Sequence, residues 1–192
     1  MNTDSISNYI RDHLSEKRRI HTEGVRTTAI ELARRYGADP EKAETAALFH
    51  DMFRGVDRDT LNRYVDELGL DPGRYRDNPN LAHGKIAAEI MRRDYGITDP
   101  DIINAVRYHT TGRPGMSQLE KVVFIADAIE PSRDYPGVEE LRKATWRDLD
   151  EGCLTALSRT SEYVKSRGIP LDEDTAEAEA YFRRLMETKN GE

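Results

Sequence analysis

Apolar residues return at intervals of three and four along nearly the whole chain, the spacing that gathers them on one face of an α-helix, while the two-residue alternation of a strand hardly appears. Ile6, Ile10 and Leu14 predict a first short helix, and a second runs from about Lys17 to Tyr36 and ends at Gly37, with Pro40 beyond. A third is predicted over Lys42 to Asp51. Asn78 as N-cap with Pro79 in the first turn opens a helix that continues to Tyr95 before Gly96. Thr98 or Asp99 followed by Pro100 repeats the device and opens a helix ending near His109. Ser117 with Glu120 forms a capping-box pattern ahead of KVVFIADAI. Two or three further helices fill Val138 to Glu187, broken by Gly168 and Pro170. The pattern predicts an all-α protein with short connections and no internal repeat.

A chain of 192 residues is long enough for one well-buried core and does not require two domains. Charged residues make up 34% and mean hydropathy is −0.77, yet the regular helical spacing of the apolar positions marks a soluble globular protein rather than a disordered one. A net charge of −7 and a pI near 5.4 argue against a nucleic-acid-binding surface, which needs a basic face. A few local arginines still suffice to hold a small phosphate ester. Cys153 is the only cysteine, so no internal disulfide forms, and MNTDSISNYIRDHL has no apolar run of signal or membrane length. A cytoplasmic protein with no membrane partner is expected.

Against this background six residues stand out: His21, the pair His50-Asp51, His83, His109 and Asp127. Imidazoles and carboxylates are hard-to-borderline metal ligands. Helical spacing sets each among apolar neighbours: His21 with Val25, Thr28 and Leu32, His50 with Ala43, Ala46 and Ala47, His83 with Ala87 and Ile90, His109 with Ile102, Ala105 and Val106, Asp127 with Val123 and Phe124. A single inward histidine is ordinarily a hydrogen-bonded core residue. An inward Asp127 is costlier, because a buried carboxylate requires a metal or a cation, with a buried arginine as the alternative partner. Adjacent helical residues diverge by about 100°, so His50 and Asp51 reach one ion only where the helix ends, and MFRG after them reads as such an end. Asp51 has two oxygens and is able to bridge two ions, or to ligate one while orienting a water. Arg54, three residues after Asp51 and four after His50, falls on the same side, where its planar fork suits a phosphate. A helix-end cation facing solvent is the plainer reading of that arginine. His13 reads as a surface residue, and Trp146 and Cys153 as packing.

The order His…His-Asp…Asp resembles the HD-domain phosphohydrolase superfamily, and the details are similar to its bacterial family of symmetrical bis(5'-nucleosyl)-tetraphosphatases. The resemblance rests on RRIHTEGV (18–25), YGAD (36–39), ALFHDMFRG (47–55), LAHG (81–84) and AVRYHTTGRPGMSQLEKVVFIADAIEPSRDYPGVEELR (105–142). It implies a single-domain helical bundle over 1–192, with a core of about 18–130 and C-terminal helices over 138–189 that close a nucleotide pocket. It further implies that His21, His50, Asp51 and Asp127 hold an iron ion, with manganese or cobalt as substitutes. His83 and His109 would bind phosphate or a second metal, and with Asp51 and Asp127 they make up the catalytic group. Arg18, Arg54 and Arg133 would contact substrate phosphates, and the stretch from Pro170 to Thr175 would border the nucleotide. The implied reaction splits diadenosine tetraphosphate (Ap4A) and related dinucleoside tetraphosphates into two nucleoside diphosphates, and a homodimer goes with the family. Other HD phosphohydrolases would use the same ligands on nucleoside monophosphates, deoxynucleoside triphosphates or guanosine polyphosphates, and a non-catalytic nucleotide sensor is a third class. The chain departs from the family pattern at Asp172-Glu173, where a His-Pro pair is common, and at Ala180, where an asparagine is expected.

Overall fold

The computed structural model describes residues 4–191 and contains eleven α-helices and no strand among them. They are α1 (Asp4–His13), α2 (Glu16–Tyr36), α3 (Pro40–Phe49), α4 (Arg58–Glu67), α5 (Pro72–Tyr75) and α6 (Pro79–Asp94), then α7 (Pro100–Arg107), α8 (Gln118–Ile129), α9 (Val138–Arg147), α10 (Leu149–Ser166) and α11 (Glu173–Asn190). The all-α expectation is borne out.

Capping chemistry explains most of the boundaries. The Asn78 side chain accepts from the Leu81 amide ahead of Pro79, and Asp99 accepts from the Asp101 amide ahead of Pro100. Ser117 and Glu120 form both hydrogen bonds of a capping box. Gly37 ends α2 in the left-handed conformation at φ 74°. The third helix is shifted from its predicted span of 42–51. Asp39 accepts from the Glu41 and Lys42 amides and starts it at Pro40, and it stops at Phe49 with His50 as its cap.

Two elements, α4 and α5, lie where no helix was predicted. The signals are local: Asp57 caps α4 through the Thr60 amide, and Leu61, Tyr64, Val65 and Leu68 follow the helical repeat. Asp148 also separates α9 from α10 without a glycine or proline. Its backbone is extended, and its side chain accepts from the Asp150 and Glu151 amides to start the next helix.

One buried apolar cluster extends from Ile6 to Phe182. Within it α2 packs on α3 and α8, α6 on α7, and α10 on α8, α9 and α11. The fully buried Ala29, Ala33, Ala43, Ala46 and Ala47 allow α2 and α3 to approach closely. This packing brings the ends of α3, α7 and α8 to the first turns of α6 and the N-terminal third of α2. Trp146 differs from its reading as packing, since it is 37% exposed and is flanked by the Arg35 guanidinium at the surface. Cys153 is buried, and His13 is exposed and stacked on Tyr9. No helix among the described residues is long and apolar enough to cross a membrane.

Candidate metal centre

The fold brings all six sequence-selected side chains together. His21 comes from α2, His50 and Asp51 from the end of α3, His83 from the start of α6, His109 from the turn after α7, and Asp127 from the last turn of α8. His50 and His109 thus stand just beyond their helices rather than within them. Five of the six are buried. The exception corrects an expectation: the Asp127 side chain is 23% exposed, and it accepts from Arg133 at 2.5 Å. Its place in the last turn of α8 opens it toward the following loop.

Backbone carbonyls fix which nitrogen of each ring faces the centre. Nδ1 of His50 donates to Ala47 O at 2.6 Å, Nδ1 of His83 to Pro79 O at 2.9 Å, and Nδ1 of His109 to Val106 O at 2.7 Å. A carbonyl oxygen only accepts, so each Nδ1 carries the hydrogen and leaves Nε2 with its lone pair. These lone pairs converge. His83 Nε2 lies 3.0 Å from His109 Nε2, and His50 Nε2 lies 3.4 Å from His21 Nε2. Burial, together with the neighbouring His83 and His50, pushes the His109 pKa down to about 3, so that ring is neutral and a free donor at ordinary pH.

Asp51 divides itself between the two histidine pairs. Its Oδ2 is 3.7 Å from the Nε2 atoms of both His21 and His50, while Oδ1 is 3.3 Å from His83 Nε2 and 4.0 Å from His109 Nε2. Two triads result, His21 with His50 and Asp51, and Asp51 with His83 and His109, each with donor atoms within 4.8 Å of one another. Burial favours the neutral carboxyl, but the surrounding imidazoles outweigh it and hold Asp51 well below the usual carboxylate range. The donor set fits a metal ion. Nitrogen lone pairs facing one another at about 3 Å repel, and a cation shared between them and the carboxylates removes that repulsion.

Sequence reasoning missed Glu130. This fully buried carboxylate accepts from His21 Nδ1 at 3.0 Å and from the backbone N–H of Ser132 at 2.6 Å. Burial alone would lower the His21 pKa, but Asp127 on one ring nitrogen and Glu130 on the other raise it. The available signal was Gly24, a glycine inside a helix three residues after His21. A Cβ there would run into the Glu130 carboxylate.

Gly84 serves the opposite triad. A Cβ at this position would lie 2.9 Å from His109 Cε1 and 3.0 Å from the backbone oxygen of Val106. Gly84→Ala is therefore expected to push His109 aside and to lower stability by about 1–3 kcal/mol, the usual cost of overpacking. Thermal unfolding and metal titration would show it, and an unchanged melting temperature with unchanged metal affinity would refute the contact.

Three arginines ring the carboxylates. Arg18 donates to Asp51 Oδ2 at 2.7 Å, and Arg133 holds Asp127. Arg54 has no carboxylate partner among the described residues and reaches only Pro79 O at 3.5 Å. Its pKa is lowered by burial first, with Arg18 and Arg133 adding repulsion. Gathering three guanidiniums is costly in a bare protein and suits a polyanion.

Residues 18–132, which carry all six donors, match the family model of the HD domain. The chain belongs to the HD-domain family. The symmetrical bis(5'-nucleosyl)-tetraphosphatase of Bacillus subtilis (strain 168) is 40% identical over 175 residues, covering 91% of this HD-domain chain and 94% of that protein. The protein of the same name from Halalkalibacterium halodurans is 39% identical over 189 residues, covering 98% and 100%. A Clostridium acetobutylicum crystal structure, described as a predicted HD superfamily hydrolase involved in NAD metabolism, superposes with a TM-score of 0.91 at 38% identity, covering 96% of this chain and 98% of that one.

The stretch from Pro170 to Thr175 lies beyond the matched HD residues. Pro170 is exposed and Thr175 is buried in the first turn of α11. Asp172 caps that helix and pairs with Arg74 at 2.6 Å, while Asp174 receives Lys85 at 3.0 Å from α6, two residues after His83. The Asp172 departure thus has a structural role in tying α11 to α5. Ala180 lies on the exposed side of α11.

Proposed function

We propose that this HD-domain protein is a metal-dependent symmetrical bis(5'-nucleosyl)-tetraphosphatase that splits Ap4A and related dinucleoside tetraphosphates into two nucleoside diphosphates. The carrying observation is a buried carboxylate, Asp51, shared between two histidine pairs beneath three arginines. Full-length relatives bearing that name support the same substrate class. His21, His50, Asp51 and Asp127 would hold the metal, and His83 and His109 would take a phosphate oxygen or a second ion. Iron is our reading of the metal, with manganese or cobalt accepted by the same nitrogen and oxygen set.

The ion's contribution is to lower the pKa of the water it coordinates, which provides a nucleophile near neutral pH. Asp127, the most open of the six, accepts a hydrogen bond from the attacking water and passes its proton to solvent. Water oxygen bonds to one central phosphorus as the bond from that phosphorus to the bridging oxygen breaks, and the bridging oxygen leaves on the second nucleoside diphosphate. Arg18, Arg54 and Arg133 neutralise charge gathering on the phosphoryl oxygens, which is positioning and electrostatics rather than covalent work. Pro170 to Thr175 border one nucleotide arm. Residues 1–192 act as one domain in this reading, with α9 to α11 closing the pocket over the 18–130 core, in a cytoplasmic homodimer whose partner is a small nucleotide.

The test is product analysis. Protein purified without oxygen or chelator is incubated with Ap4A, and its metal content is measured on the same sample. ADP as sole product, dependent on metal, is the expected result, and ATP with AMP would overturn the symmetrical reading. Arg54→Ala is expected to raise KM for Ap4A about 10- to 100-fold, the loss of one or two charge-assisted hydrogen bonds, with metal content intact. Loss of metal in that variant would instead make Arg54 part of the centre's scaffold.

A further inference from the structure

His21 is held by a residue 109 positions away, Glu130, whose carboxylate accepts from its Nδ1. The aim of that ring therefore depends on how the chain is fixed where it leaves α8. The last carbonyls of an α-helix have no partners within it and favour a basic residue nearby, yet the last turn of α8 contains none. Arg142, in the second turn of α9, supplies the cation from outside. Its Nε donates to Ile129 O at 2.9 Å, and its Nη2 donates to Glu130 O at 2.9 Å and to Arg133 O at 3.0 Å. Its Nη1 pairs with Glu139, which is 67% exposed, so that contact adds little.

The three gripped carbonyls belong to the end of α8 and to the two residues whose side chains return to the centre. Glu130 Oε1 accepts from His21, while Arg133 donates Nε to Asp127 O at 2.7 Å and Nη2 to Asp127 Oδ1. Glu130 O also accepts from the Arg133 N–H at 2.9 Å, which closes the turn that brings Arg133 back to Asp127. One guanidinium thus fixes the backbone beneath Glu130 and Arg133, and through them the positions of one imidazole and one carboxylate. Arginine suits this task because its donors lie in one rigid plane and hold several carbonyls in fixed relation to one another.

We propose that Arg142 is a positioning residue for the metal centre, holding the exit of α8 so that Glu130 aims His21 and Arg133 steadies Asp127. The proposal rests on the metal reading of the centre and not on the choice of substrate. Its test pairs manganese(II) affinity, measured by chelator competition on folded protein, with hydrogen exchange at the Arg133 amide. Arg142→Met keeps a long stem and removes every donor. It is expected to weaken manganese about tenfold, the low end of the loss for outer partners of metal ligands, and to quicken exchange at Arg133. Arg142→Lys keeps the charge and three donors but not the planar fork, so its loss should be smaller, about threefold, and it carries the test if Arg142→Met does not fold. In either variant, quickened exchange at Arg133 with unchanged manganese affinity would overturn the proposal, because the loosened exit would then leave the ligands aimed. Unchanged exchange would overturn it as well. A wild type that binds no manganese would instead overturn the metal reading, and the proposal with it.

Discussion

Asp51→Ala is expected to yield a folded helical protein that neither retains metal nor turns over Ap4A, a loss of more than about 10³-fold in kcat, the scale on which a group stabilising transition-state charge is missed. The side chain belongs to both histidine triads, so its removal dismantles two donor sets at once. It also strips Arg18 of its 2.7 Å partner at the mouth of the site. Little apolar volume is lost, and Asp51 lies in the turn after α3 rather than in the apolar cluster, so far-UV circular dichroism should be unchanged. The decisive measurement is the rise in melting temperature on adding metal. Ligand that binds only the native state stabilises it by mass action, so the wild type should shift and the variant should not. Retained activity, or a retained metal-dependent shift, would remove Asp51 from the centre.

Glu130→Gln should lower metal affinity by about 10- to 100-fold, the range seen when the carboxylate behind a ligating histidine is altered. Glutamine keeps one acceptor oxygen, for either His21 Nδ1 or the Ser132 amide, which bond to different oxygens of Glu130; it turns an NH2 toward the other donor and removes the charge. Glu130→Ala should cost more, because it leaves the Ser132 amide without that acceptor and opens a void against Gly24. A chelator competition measures affinity directly and separates this role from a purely structural one. Equal affinities for wild type and Glu130→Gln would show that the carboxylate only braces the helix end.

The six donors were legible because histidine and aspartate are conspicuous among apolar helical neighbours, and their spacing placed them on inward faces. The capping residues Asn78, Asp99 and Ser117 were legible for a similar reason, since each combines a side-chain acceptor with a proline or glutamate at a fixed offset. Glu130 was not, because glutamate is common on the surface of a chain this charged, and its burial depends on Gly24, more than a hundred residues earlier. The exposure of Asp127 was hidden because periodicity assigns a face but not a depth, and at the end of α8 that face meets a loop. The helix α3 was displaced by two residues at each end because the Asp39 cap and Pro40 outweighed the apolar pattern. A pairing such as Asp172 with Arg74 joins residues 98 positions apart and leaves no local trace.

Three of the four imidazoles are aimed by carbonyls only three or four residues away on their own segments: Ala47 for His50, Pro79 for His83 and Val106 for His109. Their orientation is thus set by short stretches of backbone and not by the later helices α9 to α11. Substitutions in those later helices should therefore leave these three histidines aimed as they are. The centre behaves as a portable module, and changes of substrate among proteins built on it should concentrate in α9 to α11 and their connecting loops.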